Sequence, residues 1–128
     1  MSKIVEEWTA RSIHDLEAAR LLLRYESYAD TVLFHVHQAM EKCLKGFLVH
    51  HGWKLKKIHD LETLIAEASD FDSTLSDYLE LGRRLTAFYY IERYAPGPVP
   101  LYSAQETRRL FDRGSELVQH ILNELESA

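Results

Sequence analysis

Residues 34–48 read FHVHQAMEKCLKGFL. With Leu33 just before it, the apolar set Leu33, Phe34, Met40, Leu44, Phe47 and Leu48 recurs at the spacing of one helix face, and nothing here alternates at period two. Asp30 is a suitable N-cap and Gly52 a suitable stop, where the chain often needs positive φ. The spacing therefore predicts a helix from Asp30 to about His50. Threaded through its apolar face are His35, His37, Gln38, Glu41, Lys42 and Lys45. Such groups bind protons, metals or phosphates, or they form the wet side of an amphipathic helix.

The segments on either side are helical too. Val5, Trp8, Ser12, Leu16, Ala19 and Leu23 form one stripe over about residues 3–25. A short helix is predicted from His59-Asp60, carrying Leu61, Leu64, Ile65 and Ala68. SDFDS (69–73) is a turn able to cap a fourth helix, about Thr74 to Tyr89. YIERYAPGPVPLYS (90–103) holds every proline of the chain and is predicted to be extended. Ser103 and Glu106 have the spacing of a capping box, opening a last helix with Leu110, Phe111, Leu117, Val118, Ile121, Leu122 and Leu125. The predicted architecture is all-α: an up-and-down bundle of four long helices plus one short helix, as a single domain over residues 1–128.

Composition narrows the class. With 128 residues, 46% hydrophobic and 27% charged, the chain has the make-up of one soluble domain. It lacks the roughly 20-residue apolar run of a membrane span, and MSKIVEEWTARS has no signal-peptide core. A single cysteine, Cys43, rules out an internal disulfide framework and a four-cysteine zinc site. Set among Met40, Leu44 and Phe47, it reads as a packed thiol, and a cytoplasmic location is expected. A net charge of −5 argues against a general nucleic-acid binder, whose affinity comes from neutralising many phosphates. The charge is uneven, however. Lys42 to His59 holds five lysines and no carboxylate, whereas Asp60 to Glu80 holds seven carboxylates and no lysine or arginine. The basic stretch is either an anion-attracting end or a solvated loop.

The candidate sites follow from spacing. His35 and His37 point roughly 200° apart on a helix, and His50 and His51 diverge by about 100°, so neither pair suits a shared metal. No metal and no cofactor is expected. Gln38, Lys42 and Lys45 stand at i, i+4 and i+7 with Glu41 beside them, and Glu41–Lys45 has the favourable ion-pair orientation. This stripe is either solvated or one wall of an anion-accepting groove, and spacing does not separate the two. Phe88, Tyr89, Tyr90 and Tyr94, with Arg93, either plug a bundle end or catch a planar, charged ligand. There is no G-x-S-x-G, no local Ser/His/Asp pattern and no phosphate loop, so catalysis has little support.

Taken together, FHVHQAMEKCLKGFL, Gly52, IHDLETL (58–64) and FYYIERYAPG (88–97) resemble the HEPN domain (higher eukaryotes and prokaryotes nucleotide-binding). The opening WTARSIHDLEAARLLL (8–23) also fits that family's first helix, with Trp8, Ala10, Asp15, Leu16 and Ala19 at matching places. The resemblance covers nearly the whole chain. It implies a homodimer that works with a minimal nucleotidyltransferase, in pairs resembling toxin–antitoxin modules, and that binds a nucleotide or RNA. The family's motif residues fall on Gln38, Glu41, Lys42, Lys45, His59, Asp60, Arg93 and Tyr94. The ribonuclease branch of the family carries an arginine, four to six residues, then a histidine. Arg113 and His120 match by count, but seven helical steps separate them by about 10.5 Å and Gly114 follows the arginine, so the match is read as chance. Arg84 and Arg93 have no histidine within reach in sequence. Nuclease activity thus loses support and the binding role stands. Two alternatives remain: a metal-independent ribonuclease toxin using His59 or His120, and a pure protein-interaction module whose tyrosine-rich surface docks the nucleotidyltransferase.

Overall fold

Helix α2 (Ala29–His50) is the axis of the molecule, because apolar side chains surround almost its whole length. Val32, Leu33, Val36, Ala39, Met40, Cys43, Leu44, Phe47 and Leu48 are all buried. Around it pack α1 (Lys3–Arg24), α3 (Leu61–Ala68), α4 (Leu79–Arg93) and α5 (Ala104–Ser127). The computed structural model describes residues 1–26, 28–94, 96 and 102–128, without the side chains of Ile91 and Glu92. No strand occurs among the described residues, and the fold is the all-α bundle that the periodicity predicts. The extended connection expected through the proline segment lies largely outside the described residues. No described helix is long and apolar enough to cross a membrane.

Two predicted boundaries are corrected. Helix α2 begins at Ala29, not Asp30; Tyr28 precedes it without a side-chain cap, and Asp30 sits in the first turn, where its charge favours the positive end of the helix dipole. The predicted helix from Thr74 to Tyr89 is two elements. Asp72 caps a 3₁₀ helix, Ser73–Tyr78, through the Thr74 N–H at 3.0 Å, and α4 follows from Leu79 to Arg93. Only Leu75 of the 3₁₀ segment is buried, so a tight turn that inserts one apolar side chain suffices there.

Polar contacts lock the helices at specific heights. Ser12 donates its hydroxyl to the Ala39 carbonyl at 2.6 Å, within the buried α1–α2 seam. The Leu61 N–H, orphaned at the start of α3, donates to Thr86 Oγ1 of α4 at 3.1 Å. Asp60 caps the same helix by accepting from the Glu62 N–H at 3.1 Å. Gly52 ends the α2 region at φ 92°, a conformation disfavoured for residues with a Cβ. Cys43 is buried, and burial pushes its thiol up to about 12, as a packed, unreactive side chain requires.

Candidate functional site

On α2, Glu41 and Lys45 stand one turn apart, and both are buried. Lys45 Nζ lies 3.0 Å from Glu41 Oε2. Burying two charges is tolerable only if they are paired and hydrogen-bonded, and a third group completes the set. His59, in the turn before α3, places Nδ1 3.1 Å from each Glu41 oxygen. A carboxylate only accepts, so Nδ1 carries the hydrogen there. Nε2 has no hydrogen-bond partner among the described residues.

His37 holds that turn in place. Its Nε2 is 2.8 Å from the His59 carbonyl, so Nε2 donates, and its Nδ1 accepts from the Gln38 amide at 3.1 Å. Burial lowers His37 to about 4, against smaller opposing effects from the His59 carbonyl, Glu41 and Asp60, so the ring is neutral at pH 7. Tyr89 of α4 stacks on both imidazoles, with centroids 4.9 Å from His37 and 4.9 Å from His59.

Beside this cluster, between α1 and α2, lies a hollow of about 410 Å³. Glu41, Lys42, Lys45 and His59 line one side; Ile4, Glu7, Trp8 and Arg11 of α1 line the other. Lys45 Nζ sits 5.9 Å from the centre of the Trp8 ring, and the buried Trp8 Nε1 has no hydrogen-bond partner. Lys42 is ion-paired with Asp15 of α1, whose other oxygen lies 3.0 Å from His35 Nδ1.

Of the residues singled out in the sequence, Glu41, Lys42, Lys45 and His59 thus share one hollow. Gln38 sits behind it, engaged with His37. Asp60 is occupied at the α3 cap and by the Thr63 hydroxyl at 2.9 Å. Arg93 lies over the Tyr89 ring at 5.9 Å, and the exposed Tyr94 stacks on Tyr90 at 5.8 Å. These two connect to the cluster through Tyr89 and do not line the hollow. Arg113 and His120 serve separate partners: Arg113 binds Glu116 at 2.7 Å and lies over Tyr78, while His120 binds Asp72 at 2.7 Å.

Sequence reasoning did not select Arg11, Tyr89 or His37 as members of one site. Trp8 was legible as part of the α1 stripe and as a position matching the family's first helix, not as a site residue. A signal existed in the i, i+3 pair Trp8 and Arg11, which puts an aromatic and a cation side by side on α1.

Comparison with solved structures shows the same fold. TT1696 from Thermus thermophilus matches with a TM-score of 0.78 at 22% identity, over 95% of this chain and 98% of that one. ST0689, an archaeal HEPN homologue, matches with a TM-score of 0.74 at 23% identity, over 96% and 98%. No curated protein matches the sequence. The HEPN domain model matches residues 5–127, nearly the full length, and the chain belongs to that family.

Proposed function

We propose that this HEPN domain binds a nucleotide or a nucleic-acid phosphate in the α1–α2 hollow, as a homodimer acting with a minimal nucleotidyltransferase in a toxin–antitoxin pair. The observation that carries the reading is the composition of the hollow. An indole wall, Trp8, stands with Arg11, Lys42 and Lys45 around one space, and its volume of about 410 Å³ suits a small ligand. The Glu41 charge does not repel an anion outright, because Lys45 and His59 already engage it. No ion pair engages Arg11 among the described residues, so its guanidinium is available to a phosphate.

In this reading Arg11 and Lys42 take the charge, His59 Nε2 orients the ligand, and Trp8 offers a face to the base. Gln38 and Asp60 position the His59 turn. Arg93 and Tyr94 extend the surface past Tyr89 toward the partner protein. Calorimetric titration of ATP and GTP tests it. Wild type is expected to bind, and Arg11→Ala to bind about tenfold more weakly, the equivalent of about 1.4 kcal/mol. Equal binding by both proteins, or none by either, removes the proposal. Copurification with a small nucleotidyltransferase encoded beside the gene tests the pairing.

A further inference from the structure

At the far end of α5, His120 and Glu124 stand one turn apart on the same face. The turn before the 3₁₀ helix brings Asp72 against them. His120 Nε2 is 2.7 Å from Asp72 Oδ2 and 3.8 Å from Glu124 Oε2. One donor atom from each residue falls within 4.8 Å of the other two. We propose that Asp72, His120 and Glu124 form a binding site for a divalent transition cation of the zinc class.

Three observations meet here. The first is the ligand set. An i, i+4 His/Glu pair presents two donors from a rigid helix, and an imidazole with two carboxylates suits zinc-like ions rather than calcium or magnesium, which prefer oxygen alone. Bonds of about 2.0–2.2 Å put neighbouring donors about 3–3.5 Å apart, a modest contraction of the observed cluster. The second is a ligand atom without a donor: no N–H or O–H bonds Glu124 Oε2, which faces His120 and Asp72 while the side chain as a whole is 40% exposed. The third is access. The His120 and Glu124 side chains are 41% and 40% exposed, so water reaches the cluster to complete the coordination.

The electrostatics agree. Asp72 is held at about 2, chiefly by the Thr74 hydroxyl. Glu124 is raised, first by burial and then by the neighbouring Asp72 carboxyl. Asp72 and Glu124 thus bring two carboxyl groups to one point, and a dication held between them favours the ionised form of both. Asp72 Oδ1 stays with Thr74, leaving Oδ2 for the metal. His120 supplies Nε2 by moving its hydrogen to Nδ1, so the ring remains neutral. The bound ion ties the C-terminal half of α5 to the turn between α3 and the 3₁₀ helix.

The test uses the full chain with Zn²⁺ alone, by calorimetry and thermal unfolding. Wild type is expected to bind one ion per chain and to gain Tm with Zn²⁺, as linkage requires. His120→Asn and Glu124→Gln are each expected to weaken binding at least tenfold with unchanged circular dichroism in the absence of metal. His51→Asn is expected to bind as wild type does. Absence of binding by wild type overturns the proposal. So does binding that survives both His120→Asn and Glu124→Gln, or that is lost only in His51→Asn.

Discussion

His59 Nδ1 stands equidistant, at 3.1 Å, from the two carboxylate oxygens of Glu41, one of which also receives Lys45 Nζ at 3.0 Å. The buried carboxylate is therefore the hinge of a three-residue network joining α2 to the turn before α3. Glu41→Ala strands the Lys45 ammonium in a site with little access to water. The expected loss is about 3–5 kcal/mol in urea unfolding. The double variant Glu41→Leu/Lys45→Met, with no charge left to strand, is expected to recover most of it. A loss below about 1 kcal/mol in the single variant means that Lys45 reaches water and the network is not buried.

His37 makes the fold sensitive to acid. Burial lowers its pKa from 6.5 to about 4, so between these values the unfolded chain binds a proton that the native ring refuses. Stability is complete above about pH 6.5 and falls as the pH drops toward 4, by about 3 kcal/mol for this group. The His59 carbonyl, Glu41 and Asp60 favour the charged ring and the His59 imidazole opposes it, but burial outweighs the favourable contacts. Urea midpoints at pH 7 and pH 4.5 are expected to diverge more for wild type than for His37→Gln. Equal divergence shows that the ring takes up a proton without unfolding.

The helices were legible because their apolar stripes are long. Ser12, Leu16 and Ala19 on α1, and Leu117, Val118 and Ile121 on α5, are buried as their spacing requires. The capping box at Ser103 was half legible. Ser103 Oγ accepts from the Glu106 N–H at 3.0 Å, but the Glu106 carboxylate turns instead to Arg84 at 2.6 Å and Arg109 at 2.8 Å. The 3₁₀ turn at Ser73–Tyr78 was not legible, since its composition does not distinguish one turn tightness from another. The Gln38–Lys42–Lys45 stripe shows why sites are harder. Spacing puts the three on one face, yet their fates depend on what α1 and the His59 turn lay over that face. Asp15 pairs with Lys42, Trp8 lies against Lys45, and His37 takes Gln38. These contacts are set by how the helices pack, which no local spacing encodes.

Gly114 marks where α5 crosses closest to α2. A Cβ there would fall well inside van der Waals contact with Val36 Cγ1 and 3.3 Å from Met40 Sδ. Met40 can flex, but Val36 is fully buried and, being β-branched, cannot rotate aside cheaply. Gly114→Ala gains about 1 kcal/mol in helix propensity and loses about 2–3 kcal/mol to overpacking, the upper part of the usual range because Val36 cannot move aside. The clash dominates because both neighbours lie on the central helix, which is packed on its other sides. A Tm lower by about 3–10 °C is expected, consistent with a net loss of about 1–2 kcal/mol. Adding Val36→Ala opens the space, so the double variant is expected to lose less than the sum of the two single losses. A Tm for Gly114→Ala equal to or above wild type places α5 farther from α2 than this packing allows.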